Sequence, residues 1–480
     1  MMEPSAEIPG GRLILVSNRL PVTVSIGDDG LRIEPSAGGL ATGLREPHRR
    51  LGGPWVGWPG PYVGPDGQGQ AALDTALAEL GTVPVHMSAE EVSRFYEGFA
   101  NGVLWPVFHY LIGQVPLRVE GWEEYRAVNE RFADTVADLY RVGDSIWVHD
   151  YQLLLLPGLL RQRLPRARIG FFLHIPFPSS EVFATLPHRE QMLRGLLGAD
   201  VVGFHTEAYA RHFLSSLRRV LGIAGEMEEV RHEGRPVRLG AFPMGVDAAA
   251  LDRRARAAPV EEEVRALRGD GSCRLLLGID RLDYTKGIPR RLLAFELLLQ
   301  RRPEWRGRVR LIQVAVPSRA RVRAYRAIRR EVDALVGRIN GEFGTPHWTP
   351  VHYLYQSVPE HQLLALYRAA DVMLVTPVRD GMNLVAKEFV AARSDEGGVL
   401  VLSEFAGAAA EMQAAVRVNP YDLEQSAQRY HQALVMPAAE RGARMRSLRE
   451  HVFGWDVHRW AEAFLAALDP GCDPAPEGRP

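Results

Sequence analysis

The sequence has little of three things that mark other classes of protein. Its two cysteines, Cys273 and Cys472, are too few in 480 residues for a disulfide framework or a thiolate metal site. The formal net charge is −1 at pH 7, which gives no reason to expect nucleic acid or an anionic membrane as a partner. No apolar run is long enough to span a bilayer, and no signal segment opens the chain. We therefore expect a cytoplasmic protein.

What the chain does have is length and apolar content for more than one hydrophobic core, with 46% hydrophobic residues. Apolar runs alternate with helical patterns, which is typical of parallel strands buried on both faces. Two series of such runs, joined around residues 242–247, predict an α/β protein with two doubly wound domains. The predicted strands are Leu13–Ser17, Ser145–His149, Ile169–His174, Val201–His205, Leu275–Ile279, Val309–Val316, Val372–Thr376 and Val399–Ser403.

Two short segments of the second half carry the clearest chemistry. Residues 281–287 (RLDYTKG) follow one predicted strand with two cations, and residues 379–388 (RDGMNLVAKE) follow another and open a helix. Cations beside a helix N-terminus form an anion site, because free N–H groups and the helix dipole favour phosphate. A carboxylate on that helix, Glu388, could accept hydrogen bonds from ribose, and Asp380 suits sugar hydroxyls. The segments predict a nucleotide-sugar site rather than two ordinary charged junctions.

Both segments resemble the donor-site signatures of the trehalose-6-phosphate synthases, glycosyltransferase family 20. The resemblance extends from about Arg12 to about Ala466. It implies a GT-B fold, with two Rossmann-like domains facing across a cleft, and retaining transfer of glucose from UDP-glucose to glucose 6-phosphate. Further family-like segments are Ser17–Pro21, Ser36–Ala41, Val103–His109, Trp147–Tyr151, Phe171–Pro178, Gly337–Gly341 and Asn419–Asp422.

The resemblance also implies a division of the chain. Residues 1–244 would form an acceptor domain and residues 245–451 a nucleotide-sugar donor domain. A final helix at residues 452–468 would cross back onto the first domain. Residues 469–480 contain several prolines and glycines and are predicted to be a disordered tail.

The residues that the resemblance assigns to the donor come from both halves. Two glycines before a predicted helix let the backbone approach a diphosphate closely, since a side chain would block it. His174 ends a predicted strand before a proline-rich loop, where ligands of open α/β sheets bind. The full donor set is Gly38, Gly39, His174, Arg281, Lys286, Asp380, Gly381, Met382, Asn383, Leu384 and Glu388.

The acceptor set lies mainly in the first half. Arg19 follows the first strand, where a guanidinium can hold a phosphate with two parallel hydrogen bonds. By resemblance it binds the acceptor 6-phosphate, and Asp150 accepts from the acceptor hydroxyls. His149 is expected to be structural, since strand alternation points it away from Asp150. The other acceptor residues are Tyr96, Trp105, Arg319 and Trp58, with Trp55 as the alternative to Trp58.

The expected chemistry uses positive charge rather than a nucleophilic carboxylate. Retaining glycosidases pair two carboxylates, and no pair in this sequence claims that role. Cations around the leaving diphosphate would stabilise developing charge while the acceptor arrives on the same face. Domain closure would exclude water. The predicted catalytic residues are Asp150, His174, Arg281, Lys286 and Asp380, with no metal and no cofactor.

Several alternatives stay open at this point. One is a transferase with another acceptor, such as a glucosylglycerol-phosphate synthase or a pseudo-glycosyltransferase. The intact acceptor set argues against it. A UDP-sugar 2-epimerase would convert its substrate without an acceptor. A non-catalytic sugar-phosphate-binding regulator would lack donor residues that are present here. The donor nucleobase and the oligomeric state are also open, although the resemblance implies a homodimer or homotetramer.

Overall fold

The computed structural model describes residues 11–27, 30–35, 44–45, 48–49, 52–60, 68–318 and 323–469. The chain divides into two compact units. The first is Met1–Pro243 together with His458–Pro480, and the second is Met244–Val457. Each unit is built on its own parallel sheet.

The first unit contains an eight-stranded sheet and a separate hairpin. The hairpin pairs β2 (Val22–Gly27) with β3 (Gly30–Pro35). The sheet strands are β1 (Leu13–Arg19), β4 (Trp55–Trp58), β5 (Thr82–Pro84), β6 (Ser145–His149), β7 (Arg168–Phe172), β8 (Val201–Phe204), β9 (Glu229–His232) and β10 (Arg235–Ala241).

The strand order of this sheet is β5-β4-β1-β6-β7-β8-β10-β9, and β9 is its antiparallel edge strand. The chain builds outward from β1 in one direction through β4 and β5. It then returns to β6 on the other side of β1. The order therefore reverses between β1 and β6, and open α/β sheets bind ligands beyond the carboxyl ends of the strands at such a reversal.

Helices connect these strands. Trp122–Leu139 shows why they form: its buried positions 125, 128, 129, 132, 133 and 136 follow the helical repeat, and Glu123 and Glu124 favour its N-terminus. The other α-helices are Gln68–Glu79, Ala89–Glu91, Trp105–Phe108, Leu156–Arg163, Ser180–Phe183, Arg189–Leu196, Glu207–Ser216 and Val457–Leu468. Val92–Leu104 and Leu217–Leu221 are π-helical, and Ile112–Gln114 and Tyr151–Leu153 are 3-10 turns.

The last helix completes the core of the first unit. Phe464 stacks on Trp147 with ring centroids 4.4 Å apart, and Trp460 lies 5.1 Å from the same ring. Two glycines make room for it: an added Cβ would lie 2.6 Å from Phe464 at Gly170 and 2.7 Å at Gly203. Because these distances leave no space for a side chain, the last helix can pack against β7 and β8 only where the strands carry glycine.

The second unit has a six-stranded, fully parallel sheet. Its strands are β11 (Arg274–Arg281), β12 (Val309–Val316), β13 (Val351–Leu354), β14 (Val372–Val375), β15 (Val399–Ser403) and β16 (Val416–Val418). Its α-helices are Ala248–Ala255, Ala258–Arg268, Ile288–Arg301, Arg323–Phe343, Glu360–Ala369, Leu384–Ala392, Leu423–Leu434 and Ala438–Gly454. Its 3-10 turns are Tyr284–Lys286, Pro303–Trp305 and Gly407–Ala410.

Helices cover both faces of this second sheet. Leu276 and Val372 pack into one apolar layer, while Leu277 and Met373 pack into the other. That alternation explains why the strands read as continuous apolar runs. The strand order β13-β12-β11-β14-β15-β16 reverses between β11 and β14.

The predicted α/β fold with two doubly wound parallel sheets is confirmed. Every strand predicted from an apolar run is present, with ends that differ by up to two residues. The structure adds short edge strands of three or four residues, such as Thr82–Pro84 and Val416–Val418, which are too short to show a periodic pattern. None of the described helices is long and apolar enough to cross a membrane. Of the predicted tail, residues 470–480 lie outside the described residues.

We expect Trp460→Ala to destabilise the first unit by about 3–5 kcal/mol, because it leaves a cavity against β6 and β7. The Trp460 side chain is fully buried against Trp147 and Phe172. Urea-induced unfolding would measure the loss. Glu462→Gln, on the exposed side of the same helix, should change stability by under about 0.5 kcal/mol. Equal effects of the two variants would contradict this packing.

Candidate active site

A cation lies against two aromatic rings at the end of β1. The Arg19 Cζ atom is 4.6 Å from the centroid of the Trp58 ring, and the Trp58 and Tyr96 ring centroids are 5.9 Å apart. Desolvation lowers the pKa of Arg19 and the Tyr96 phenol raises it, but a guanidinium remains charged at neutral pH. Gly60, at φ +106, leaves room, since a Cβ there would lie 2.9 Å from Arg19 Nη2. The arrangement suits an anion such as a phosphate.

The two tryptophans of β4 have different surroundings. Trp55 donates from Nε1 to Ser17 Oγ at 2.7 Å inside the core, whereas Trp58 lies under Arg19. Residues three apart on a strand face opposite sides of the sheet. Of the two candidates, Trp58 is therefore the one beside the cation.

The π-helical segment Val92–Leu104 links the other aromatic candidates. It carries Tyr96, and Trp105 follows its last residue. The Trp105 ring is buried, with its centroid 5.6 Å from that of Tyr151. π-Helical turns are rare and are frequent at functional sites. Nothing in the hydrophobic pattern distinguishes this segment from an α-helix.

Asp150 and His174 meet beyond the ends of β6 and β7. The backbone N–H of His174 donates to Asp150 Oδ1 at 3.2 Å. Burial lowers the pKa of His174 well below its ordinary value, and His205, with its ring centroid 5.6 Å away, lowers it further. The His174 imidazole is therefore neutral near pH 7 and can donate or accept a hydrogen bond.

His149, which is expected to be structural and to point away from Asp150, contacts His174. Its Nδ1 lies 3.0 Å from His174 Nε2. Strand alternation predicts side-chain directions only within β6, whereas His174 lies beyond the end of β7 and its ring meets His149. Burial lowers the pKa of His149 as well. His149 and His205 are thus neighbours of the predicted site that the strand pattern alone did not reveal.

In the second unit an ion pair joins the two loops at the strand-order reversal. Lys286 Nζ pairs with Asp380 Oδ2, and both side chains are largely buried. Asn383 Nδ2 donates to the same Asp380 oxygen at 3.0 Å. The turn that carries Lys286 is fixed by Asp283, which accepts from the Thr285 N–H at 2.9 Å. The structure thus brings together three predicted donor residues.

The loop from Arg379 to Asn383 is clamped against the segment after β15. Asp380 N–H donates to Phe405 O at 3.1 Å, and Ala408 N–H donates to Met382 O at 2.9 Å. A Cβ at Gly407 would lie 1.8 Å from Gly381 O, so the backbones of the two segments are in direct contact. Asn383, in the left-handed conformation at φ +72, then begins the helix Leu384–Ala392. The N-terminus of this helix lies beside Lys286's partner, Asp380.

Glu388 lies one turn into that helix. Its Oε2 accepts a hydrogen bond from the Tyr367 hydroxyl at 2.8 Å. Burial raises the pKa of Glu388, and the Tyr367 hydrogen bond lowers it in part. The carboxylate is therefore oriented by a neighbour that the motifs did not indicate, because Tyr367 comes from the preceding helix Glu360–Ala369.

A buried arginine lies beneath these loops. Arg291 donates from Nη1 to Asp280 Oδ2 at 2.6 Å and to Gln313 Oε1 at 2.9 Å, and from Nε to Thr376 Oγ1 at 3.0 Å. Its partners come from β11, from β12 and from the residue after β14. One guanidinium therefore ties together three neighbouring segments of the sheet, of which β11 and β14 lead into the loops with Lys286 and Asp380. An arginine in an amphipathic helix is normally expected on the surface, so no sequence pattern indicated that Arg291 would be buried.

The remaining predicted residues are less informative. Arg281 is exposed at the end of β11, and the 3-10 turn that carries Lys286 begins at Tyr284. Gly38, Gly39 and Arg319 lie outside the described residues. Within the described part of the chain, no three His, Cys, Asp or Glu residues are grouped so that they could hold a metal ion.

Comparison with known proteins identifies the family. The profile of glycosyltransferase family 20 matches residues 11–470. The chain belongs to this family. A trehalose-6-phosphate synthase of Mycobacterium avium is 47% identical over 469 residues, covering 95% of this chain and 94% of its own. The UDP-forming alpha,alpha-trehalose-phosphate synthase A of Dictyostelium discoideum is 42% identical over 461 residues. The match covers 96% of this chain but only 62% of that longer relative.

Solved structures of the family agree with the fold. An E. coli structure bound with UDP-2-fluoro glucose matches with a TM-score of 0.86 at 36% identity, covering 95% of this chain and 99% of that one. A Burkholderia xenovorans synthase in complex with glucose-6-phosphate matches with a TM-score of 0.85 at 36% identity, covering 95% and 100%. The GT-B fold class predicted from the resemblance is confirmed.

We expect Glu388→Gln to raise the thermal unfolding midpoint of this family 20 protein near pH 7 while weakening nucleotide-sugar binding. A carboxyl whose pKa is raised on folding binds more protons when folded, so it costs stability as pH rises above the ordinary value of about 4.3. The gain over wild type should therefore grow as the pH rises above about 4.3 toward the raised pKa of folded Glu388. Tyr367→Phe removes a hydrogen bond that lowers this pKa, so in that variant the loss of stability should continue to a higher pH. A gain that is constant with pH would contradict this account.

Proposed function

We propose that the protein is a UDP-forming trehalose-6-phosphate synthase, which transfers glucose from UDP-glucose to glucose 6-phosphate with retention of the anomeric configuration. The observation that carries the proposal is the cluster of Lys286, Asp380 and Asn383 at a helix N-terminus, where the strand order of a parallel sheet reverses. Cation, helix dipole and carboxylate together suit a sugar diphosphate. The names of the family relatives above support the same activity.

In this proposal the second unit binds the donor. Arg281 and Lys286 bind the diphosphate together with the helix N-terminus at Asn383 and Leu384. The donor sugar is held by Asp380, Gly381 and Met382. Glu388 accepts from the ribose hydroxyls, and its hydrogen bond from Tyr367 holds the carboxylate in one orientation. Gly38 and Gly39 would donate to the phosphate from the first unit, a role that rests on the sequence resemblance.

The first unit binds the acceptor. Arg19 holds the 6-phosphate, with Trp58 and Tyr96 as walls of the same pocket. Asp150 accepts from the acceptor hydroxyls. Trp105 and Arg319 complete the acceptor set by resemblance.

The transfer step relies on charge at the leaving group. As the bond from C1 to the diphosphate oxygen breaks, C1 gains oxocarbenium character and negative charge grows on the departing UDP. Lys286, Arg281 and the helix N-terminus stabilise that charge, and fixed groups of this kind often supply the largest catalytic contribution. The acceptor O1 attacks from the same face, and a phosphate oxygen of UDP takes its proton. His174, neutral at working pH, hydrogen-bonds the donor glucose rather than acting as an acid.

Three further properties are part of the proposal. Turnover proceeds without a metal ion, since Arg281 and Lys286 neutralise the diphosphate. The protein forms a homodimer or homotetramer and works in the cytoplasm. A chelator, a sedimentation experiment and cell fractionation test the three in turn.

The primary test is a product analysis. Purified protein with UDP-glucose, glucose 6-phosphate and EDTA should release UDP and form a disaccharide phosphate. Proton NMR should show both anomeric protons with the small coupling of α linkages. Replacing UDP-glucose by ADP-glucose or GDP-glucose would define the nucleobase preference. UDP release only with another acceptor would overturn the acceptor assignment, and conversion of UDP-glucose without any acceptor would indicate an epimerase.

We expect Arg19→Ala to lower kcat/KM for glucose 6-phosphate by roughly 10–100-fold, because a charge-assisted hydrogen bond to phosphate contributes about 1.5–3 kcal/mol. The same variant should leave kcat/KM for unphosphorylated glucose nearly unchanged, since that acceptor has no phosphate to lose. Arg19→Lys should fall between, because it keeps the charge without the planar fork. Equal losses with both acceptors would mean that Arg19 does not bind the phosphate.

A further inference from the structure

The residue after β6 has an unusual backbone. Asp150 adopts φ 78 and ψ 169, a conformation that only glycine occupies without strain. Strain of this kind persists where the surrounding structure holds it, and it is concentrated at functional sites. Asp150 is also the residue to which we assign the acceptor hydroxyls.

Hydrogen bonds hold Asp150 at its N–H, at its carbonyl and at its carboxylate. Its N–H donates to Phe172 O at 2.8 Å, and its carbonyl accepts from Leu153 N–H at 3.1 Å. Its carboxylate Oδ1 accepts from the His174 N–H at 3.2 Å. These bonds fix the backbone and the side chain of Asp150. They do not explain how the turn that follows Asp150 is kept in place.

Two polar side chains of one helix hold that turn. Tyr125 donates its hydroxyl to Tyr151 O at 2.7 Å and accepts from Leu154 N–H at 3.1 Å. One helical turn further, Asn129 Nδ2 donates to Gln152 O at 3.0 Å. Both side chains are fully buried. Buried polar groups are costly unless hydrogen-bonded, so their position in an otherwise apolar helix face points to a specific role.

A third contact reaches the turn from the acceptor aromatics. Tyr151 donates its hydroxyl to Asn101 Oδ1 at 2.7 Å. Asn101 belongs to the π-helical segment that carries Tyr96 and leads into Trp105. The turn after Asp150 is therefore held on one side by the helix Trp122–Leu139 and on the other by the segment of the acceptor pocket.

We propose that Tyr125, Asn129 and Asn101 are positioning residues for the acceptor, which hold the turn at residues 150–154 so that Asp150 keeps its strained backbone. All three are buried, and none belongs to the proposed acceptor or donor set. Their effect passes through Asp150, whose carboxylate is pre-oriented before the acceptor arrives. Pre-orientation matters because small displacements of a binding group cost rate steeply. The role in acceptor binding rests on the proposed function, whereas the strain does not.

The strain is tested by stability alone. Asp150→Gly and Asp150→Ala both remove the carboxylate, so they form a matched pair. At an unstrained position alanine is the more stabilising residue. Here we expect the glycine variant to unfold at a temperature higher by about 2–4 °C. An alanine variant as stable as the glycine variant would show that the backbone of residue 150 is not strained.

Positioning is tested by Tyr125→Phe, which removes one hydroxyl. We expect kcat/KM for glucose 6-phosphate to fall about tenfold, while the Kd of UDP, measured by titration, changes less than twofold. In an Asp150→Ala background the same change should have almost no further kinetic effect, because contacts that act through one residue are not additive. Val136→Ala, in the core of the same helix, should lower stability without changing the acceptor kinetics.

The outcomes separate the proposal from the function on which it rests. Absence of wild-type turnover of glucose 6-phosphate overturns both the proposed function and the acceptor role, while the comparison of Asp150→Gly with Asp150→Ala still decides the strain. Normal wild-type turnover with an unaffected Tyr125→Phe variant, or penalties that add in the double variant, overturns the positioning role alone. If Tyr125→Phe does not fold, Asn101→Ala tests the same turn from the other side.

Discussion

Parallel strand order is the constraint on which the rest of this structure depends. In a parallel sheet every carboxyl end lies on the same edge, and the reversal of strand order brings together loops that are far apart in sequence. In the first unit this edge carries Arg19, the last residue of β1, and Asp150, which follows β6. In the second it carries Arg281, the last residue of β11, and the loop containing Asp380 after β14. One topological rule therefore places both sets of candidate side chains.

Buried polar groups then hold the loops at these edges. Arg291 ties β11, β12 and the residue after β14 together beneath the loops that carry Lys286 and Asp380. Tyr125 and Asn129 hold the turn after β6. On the donor helix, Lys387 Nζ is buried and bound to Met244 O at 2.8 Å and to Glu411 Oε1 at 2.6 Å. A buried donor that loses its hydrogen bond costs free energy, so each of these contacts favours one arrangement of its loop. Buried polar side chains inside the apolar layers therefore hold the loops of both candidate sites in place.

The core strands and the candidate donor residues were predicted from the sequence for different reasons. Strands buried on both faces appear as continuous apolar runs, so β6, β12 and β15 were predicted with their observed ends. The candidate donor residues were proposed because their two segments match family signatures. Arg291 and Tyr367 were not, because each lies in an amphipathic helix where nothing local marks its inward direction. Short edge strands escaped because they are too brief to show a period.

By itself the sequence determined the α/β class, the two sheets, the family and the residue types at the donor loops, since periodicity and motif spacing are local properties of the chain. Only the tertiary structure decided which of Trp55 and Trp58 lies beside Arg19, that His149 meets His174, and that Asp150 is strained. Each of these depends on where a second, distant segment lies. Such contacts depend on packing between distant segments, so the local sequence pattern cannot predict them.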